Sequence, residues 1–313
     1  MSIEKYDIDE AWGKVTLKSK IGYSCTSLGA QLVHGIFLVS LLFYYREIIL
    51  LPEIYLIWAF LFYAVWNAIN DPLFGWLSDK TSTRWGRRIP YYFLFVPIMS
   101  VSFVFLWLSP TVAEIGEMAV FIWLLIWMCI YDTAFTATLL VWSALGQEMS
   151  MNHAERGSIQ IFSLIFGLVG FLIALLMPML FLEEAGRNGF IFLSFFLAAL
   201  QFILMMVTTI TVKEKLEFSQ IDEPVGLVDS IKYTLKSKSF WITVSMNFLL
   251  IFNQSVFFTN LFFFTYYGIP GYDPFFLLLF IVGITLIGIF IGIIYISKIN
   301  EKKGVKTAMM HSI

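Results

Sequence analysis

Apolar residues in this chain come in long runs that neither alternate nor keep a clean amphipathic stripe, and short clusters of charge separate them. Eight runs are long enough to cross a bilayer core, which takes roughly 20 helical residues. They lie at Ile21–Tyr45, Ile54–Leu77, Tyr91–Leu108, Met118–Leu145, Ile159–Leu182, Phe190–Val212, Trp241–Tyr267 and Phe275–Ile296. Lipid offers backbone groups no partner, so a spanning segment is a helix or part of a closed barrel, whose strands alternate. The pattern therefore predicts an all-α polytopic membrane protein. Its expected parts are a polar tail at 1–20 with no signal-peptide core, a six-helix bundle at 21–212, a central loop at 213–239, and a partial second bundle at 240–313.

Composition narrows the class further. The chain is 59% hydrophobic, 18% aromatic and only 13% charged, with mean hydropathy +0.82, which excludes an ordinary soluble domain. A net charge of −2 carries no nucleic-acid signal. With the N-terminus inside, every Lys and Arg falls on the cytoplasmic side except Arg46 and Arg187, so both termini are expected in the cytoplasm of a plasma-membrane protein. Within the central loop, Val225–Lys236 fits an amphipathic helix on the inner membrane face. Cys25 and Cys129 sit in apolar runs and read as small hydrophobes. No Gly-rich phosphate loop, zinc-protease motif or Cys pair is present, and His34, His153 and His311 are scattered, so enzyme chemistry is not expected. The implied partners are lipid and a small solute bound by a monomer, with no cofactor beyond a coupling Na⁺ or H⁺.

The chemistry is concentrated in polar residues at membrane depth. Asn67 and Asp71 are i,i+4 on one helix face, with Asn70 flanking them. Pro72 removes a backbone donor and frees the carbonyl of Ala68. One carboxylate, amide oxygens and a free carbonyl make a Na⁺ site, since hard cations take oxygen ligands. A buried Asp71 alone suits a proton equally well. Against both stands a purely structural role, in which Asp71 pairs with a basic residue and locks helices. Asp132, near the middle of the fourth run, shares a face with Thr136, and this pair is a candidate for substrate binding or proton relay. Ser24, Ser27, Gln31 and His34 form one stripe on the first run, and the seventh carries Asn247, Asn253, Gln254 and Asn260. Taken singly these are interhelical glue worth about 0.6 kcal/mol each. Taken together they outline a hydrogen-bonding cargo site.

After Asp71 the chain reads Gly75-x-x-x-Asp79-Lys80, then Arg84 and Gly86-Arg87-Arg88. That pattern resembles the loop between the second and third helices of the major facilitator superfamily. The longer string from Asn70 to Gly86 is similar to the glycoside–pentoside–hexuronide:cation symporters, the melibiose-permease group. Lys20-Ile21-Gly22-Tyr23, Trp142-Ser143-Ala144-Leu145 and Glu155-Arg156 resemble further pieces of it. The resemblance implies a two-bundle transporter in which helices one, four and seven line a central cavity and the bundles rock between inward- and outward-open states. It also implies a loop at Gly75–Arg88 whose acid and bases form a charge relay.

The departures are specific. Of two helix-two acids that hold the cation in that family, the first position is Asn67 and only Asp71 is acidic. The family's sugar-contacting acids align with Gln31 and Thr138, and a basic residue of helix five with Leu164. A weak echo of the second run in the eighth, with Gly292, Lys298 and Gly304-Val305-Lys306, suits a repeated bundle. Met309–Ile313 then reads as the opening of a ninth span, the alternative being a true eight-span protein.

Overall fold

The structure is a computed structural model, and it describes residues 14–80, 88–150, 152–212, 233–267 and 273–303. Eight long helices follow the eight apolar runs. They are α1 (Leu17–Phe43), continued by a π-helical turn at Tyr44–Ile48, α2 (Glu53–Lys80), α3 (Ile89–Trp107) and α4 (Glu117–Glu148). A continuous helical stretch, His153–Thr211, supplies α5 (Glu155–Pro178) and α6 (Gly186–Thr211). The last two are α7 (Lys238–Tyr267) and α8 (Pro274–Lys303). The break between α5 and α6 falls at Gly186, whose φ of 47° and ψ of −128° suit a residue without a Cβ. Pro97 and Pro178, where the sequence suggests kinks, lie inside continuous helix, as does Pro72.

Six stretches among the described residues are long and apolar enough to cross a membrane. The second of the eight expected spans is long enough but diluted by Asn67, Asn70 and Asp71. In α8 the described apolar part is the shorter Phe275–Thr285. Of the helix expected at Val225–Lys236, only the last turn from Tyr233 is described, and it is helical.

The chain divides into two compact units, one of Met1–Phe37 and Leu41–Pro224, the other of Val225–Ile313 with Leu38–Ser40. In the first, α1 packs against α5 and α6 through small and hydroxylated residues, because apolar tails give lipid-facing helices no reason to associate and close approach must do it instead. Thr26 and Thr208 share a hydrogen bond of 2.7 Å, and Thr208 donates to the Gly22 carbonyl at 2.7 Å. Ser27 donates to the Ser163 carbonyl at 2.8 Å. At Gly170 the α5 backbone comes so near α1 that a Cβ would lie 2.5 Å from the Leu28 carbonyl oxygen. Outward faces stay apolar: Leu164 is 71% exposed and Ile210 79%, as lipid contact requires.

Aromatic residues close the end of the unit opposite the basic clusters. Tyr44 and Tyr45 donate to the carbonyls of Trp107 and Leu106 at 2.6 and 2.8 Å, and Trp107 stacks on Phe190. Beside them Thr111 N–H donates to Glu114 at 2.8 Å, and that bond, with Arg187 at 3.3 Å, holds the Glu114 carboxyl below the usual carboxylate range. In the second unit α7 packs along α8.

The close approach at Gly170 carries a prediction. Gly170→Ala forces α1 and α5 apart and destabilises by about 1–3 kcal/mol. Gly157→Ala meets nothing within 4 Å and is neutral or stabilising. Thermal unfolding of the two purified variants checks the contrast.

Candidate functional site

The polar residues of α2 meet α4 along one seam. Asp132 is 4% exposed and accepts two hydrogen bonds, from Tyr63 Oη to Oδ1 and from Asn70 Nδ2 to Oδ2, both at 3.1 Å. One turn further along α4, Thr136 donates to Asp71 Oδ1 at 3.0 Å. Trp66 Nε1 reaches Thr133 Oγ1 at 3.1 Å on the same seam. Asn70 is itself 2% exposed, and its Oδ1 is buried with no hydrogen-bond partner. Asp71 is exposed, and Asn67, one turn before it, is intermediate. Among the described residues no basic side chain forms an ion pair with Asp71 or Asp132, so the helix-locking role weighed for Asp71 has no partner there.

The structure regroups the candidates of the sequence. Asn70 faces Asp132, while Asp71 faces Thr136. The substrate pair Asp132 and Thr136 is thereby tied to the cation candidates across the seam. On α1, Ser24 and Ser27 bond toward Ser163 of α5, and Gln31 lies beside Gly167. His34 instead reaches α4, stacking on Phe135 with ring centres 4.5 Å apart and its Nδ1 buried without a partner. On α7, Asn247, Asn253 and Asn260 are exposed and each donates to the carbonyl four residues earlier on its own helix, while Gln254 is exposed beside them. Thr138 is fully buried and donates to the Ala134 carbonyl at 2.7 Å.

At the expected cytoplasmic end, the motif pieces converge. Tyr23 stacks on Trp142 at 4.8 Å, and each donates to the other's backbone carbonyl at 3.2 and 3.0 Å. Lys20 pairs with Glu155 at 2.8 Å. Of the signature loop, Gly75 is helical and intermediate in exposure, and Asp79 and Lys80 close the α2 backbone. Arg84, Gly86 and Arg87 lie outside the described residues. Arg88 is 5% exposed and donates to Ser78 at 3.2 Å and to Glu148 at 3.4 Å. Sequence reasoning missed Tyr63 and Glu148. Glu148 stands at the end of an apolar run as an ordinary solvated terminus would, whereas Tyr63, four residues before Asn67, had helical spacing as its only signal.

An all-helical bundle that crosses the membrane repeatedly and buries an acid-bearing polar seam has the make-up of a membrane transport protein. The model of the MFS/sugar transport protein family matches residues 22–313, and the chain belongs to that family. It is 24% identical over 208 residues to the uncharacterized symporter sll1374 of Synechocystis, covering 64% of this chain and 38% of that protein. It is 24% identical over 210 residues to the inner membrane symporter YicJ of Escherichia coli, covering 65% and 44%. Over a shorter stretch of 95 residues it is 34% identical to the sodium-dependent lysophosphatidylcholine symporter 1 of Xenopus tropicalis, covering 30% and 18%. The chain thus matches less than half the length of each of these relatives.

The Arg88–Glu148 pair joins the start of α3 to the end of α4, and through Ser78 Arg88 also reaches the end of α2. Glu148→Gln leaves a buried guanidinium without that carboxylate and is expected to destabilise by on the order of 3 kcal/mol. The charge swap Arg88→Glu with Glu148→Arg recovers part of the loss. A double-mutant cycle on unfolding temperature measures it.

Proposed function

We propose that the protein is a secondary active transporter that couples uptake of a small sugar- or glycoside-like solute to a cation by alternating access. It would sit in the plasma membrane with both termini cytoplasmic, working as a monomer. The observation that carries this reading is Asp71: a carboxylate at membrane depth, exposed, with one oxygen held by Thr136 and the other unengaged among the described residues. An intramembrane acid is expensive unless it handles an ion or solute. Asn67, on the same face, adds an amide oxygen. Relatives named as symporters support the coupling. The cargo would bind against α1 and α4, with Gln31 and His34 as polar lining and His34–Phe135 as an aromatic wall. The Gly75–Arg88 loop would act in the conformational change.

A second cargo, a lysophospholipid, is favoured by two observations. One relative carries that substrate in its name. The positions aligned with polar sugar contacts hold Gln31, Thr138 and the apolar, exposed Leu164.

The test is accumulation of labelled glycoside and labelled lysophosphatidylcholine in cells expressing the protein, under imposed Na⁺ and pH gradients. Uptake of one cargo above its equilibrium level, driven by one gradient, is expected. Asp71→Asn is expected to reduce accumulation to equilibration while downhill exchange persists. Uptake indifferent to both gradients defeats the coupling.

A further inference from the structure

Tyr63, Asn67 and Asn70 stand at i, i+4 and i+7 and so share one face of α2. Asp132 accepts from the first and the last of the three, at 3.1 Å each. The α4 carboxylate therefore lies across from the stretch of α2 that contains Asn67, the position where this chain has an amide and the symporters it resembles have an acid. We propose that Asp132 takes the place of that missing acid: it is the second carboxylate of a Na⁺ site shared with Asp71, and Asn70 Oδ1 is one of the neutral ligands. The proposal rests on the reading of the protein as a cation-coupled symporter and names where the charge resides.

Four features of the seam carry it. Both groups bonded to Asp132 are neutral donors, so both of its oxygens are engaged as acceptors and neither partner brings a charge. Among the described residues no Lys or Arg pairs with it, so no cationic side chain competes with an ion for it. Asn70 is 2% exposed and donates its nitrogen to Asp132, while its oxygen, on the same carbon, is buried with no partner. An orphaned acceptor of that kind is unfavourable by about 1–3 kcal/mol, and a cation in the pocket removes the penalty. Finally, Asp71 follows Asn70 directly, Thr136 follows Asp132 by one turn, and the Thr136–Asp71 bond at 3.0 Å ties the two acids to one locus. Carboxylate, amide, hydroxyl and phenol oxygens suit a hard cation. A cargo-binding role fits Asp132 less well, because at 4% exposure it lies behind its donors, whereas Asp71 is open.

The experiment follows thermal unfolding of the purified full chain as NaCl replaces choline chloride at fixed ionic strength, and separately as pH is varied without Na⁺. Wild type is expected to gain stability with Na⁺. Asp132→Asn keeps an acceptor for Tyr63 and is expected to raise the half-saturating Na⁺ by about tenfold or more, the scale of lost metal-site contacts. Asn70→Ala, which removes no charge, should shift it in the same direction and serves if Asp132→Asn fails to fold. Glu114→Gln, at the opposite end of the bundle, should leave the Na⁺ response intact. A wild-type Na⁺ response in Asp132→Asn, with the response lost in Asp71→Asn, overturns this assignment and leaves the symport reading standing. Stability that follows pH but is identical in Na⁺ and choline overturns the Na⁺ site. Wild type indifferent to both overturns the symport reading itself.

Discussion

A carboxylate buried among apolar helices has to be held by something, and in this bundle Tyr63 and Asn70 hold Asp132. Placing an ionised Asp at the centre of a membrane helix costs about 2.5–3.5 kcal/mol on insertion scales. Hydrogen bonds to a charged group return about 1.5–3 kcal/mol each, so two of them offset the insertion cost to within a few kcal/mol. They do not neutralise the charge. With Asp132 ionised, the α2–α4 seam would be near balance in energy yet negative in electrostatics, the condition under which a cation is attracted without being trapped. This fixes which face of α2 meets α4, since any rotation of α2 that withdraws Asn70 strands the acid.

Seam and scaffold are built on different principles. Around α1, helices approach through Gly170, Gly22 and hydroxyls that donate to backbone carbonyls, so the contact is close, neutral and directional. At the expected cytoplasmic end, Lys20–Glu155 and Arg88–Glu148 add charge pairs, and both lie within the first unit. Such pairs stiffen one bundle as a body. A rocking mechanism needs that stiffness, because a soft bundle would absorb the free energy of ion binding as local deformation. Arg88, at the end of the signature, joins this set of ties through Ser78 and Glu148.

Helix positions were legible because lipid permits one solution to the backbone problem and the apolar runs count it out. The candidate site was legible only by residue type. Asn70 and Asp71 are adjacent in sequence, yet helical geometry turns them to different partners, Asp132 and Thr136. Tyr63 was invisible because a tyrosine in an aromatic-rich run signals nothing until an acceptor faces it. The α7 amides show what spacing leaves open. Asn247, Asn253 and Asn260 read as a polar stripe, but each satisfies its amide on its own helix at i−4, an option that spacing alone cannot distinguish from an interhelical bond. Pro97 and Pro178 suggest kinks and the helix continues through both, while the break at Gly186 comes from a residue type common inside membrane helices.

Asn67, standing where the resembled family has an acid, looks along the sequence like the loss of half a cation site. In three dimensions the relevant unit is the facing surface of two helices and not the i,i+4 pair on one of them. Moving a carboxylate from α2 to α4 keeps two acids on the seam while altering which helix carries them. With both acids on α2, the bound ion tightens a single helix face. With one on each helix, it bridges two elements, and its binding free energy acts directly on their separation. In this chain the ion would then be a cross-link between α2 and α4, so its arrival and departure bear on packing as well as on charge.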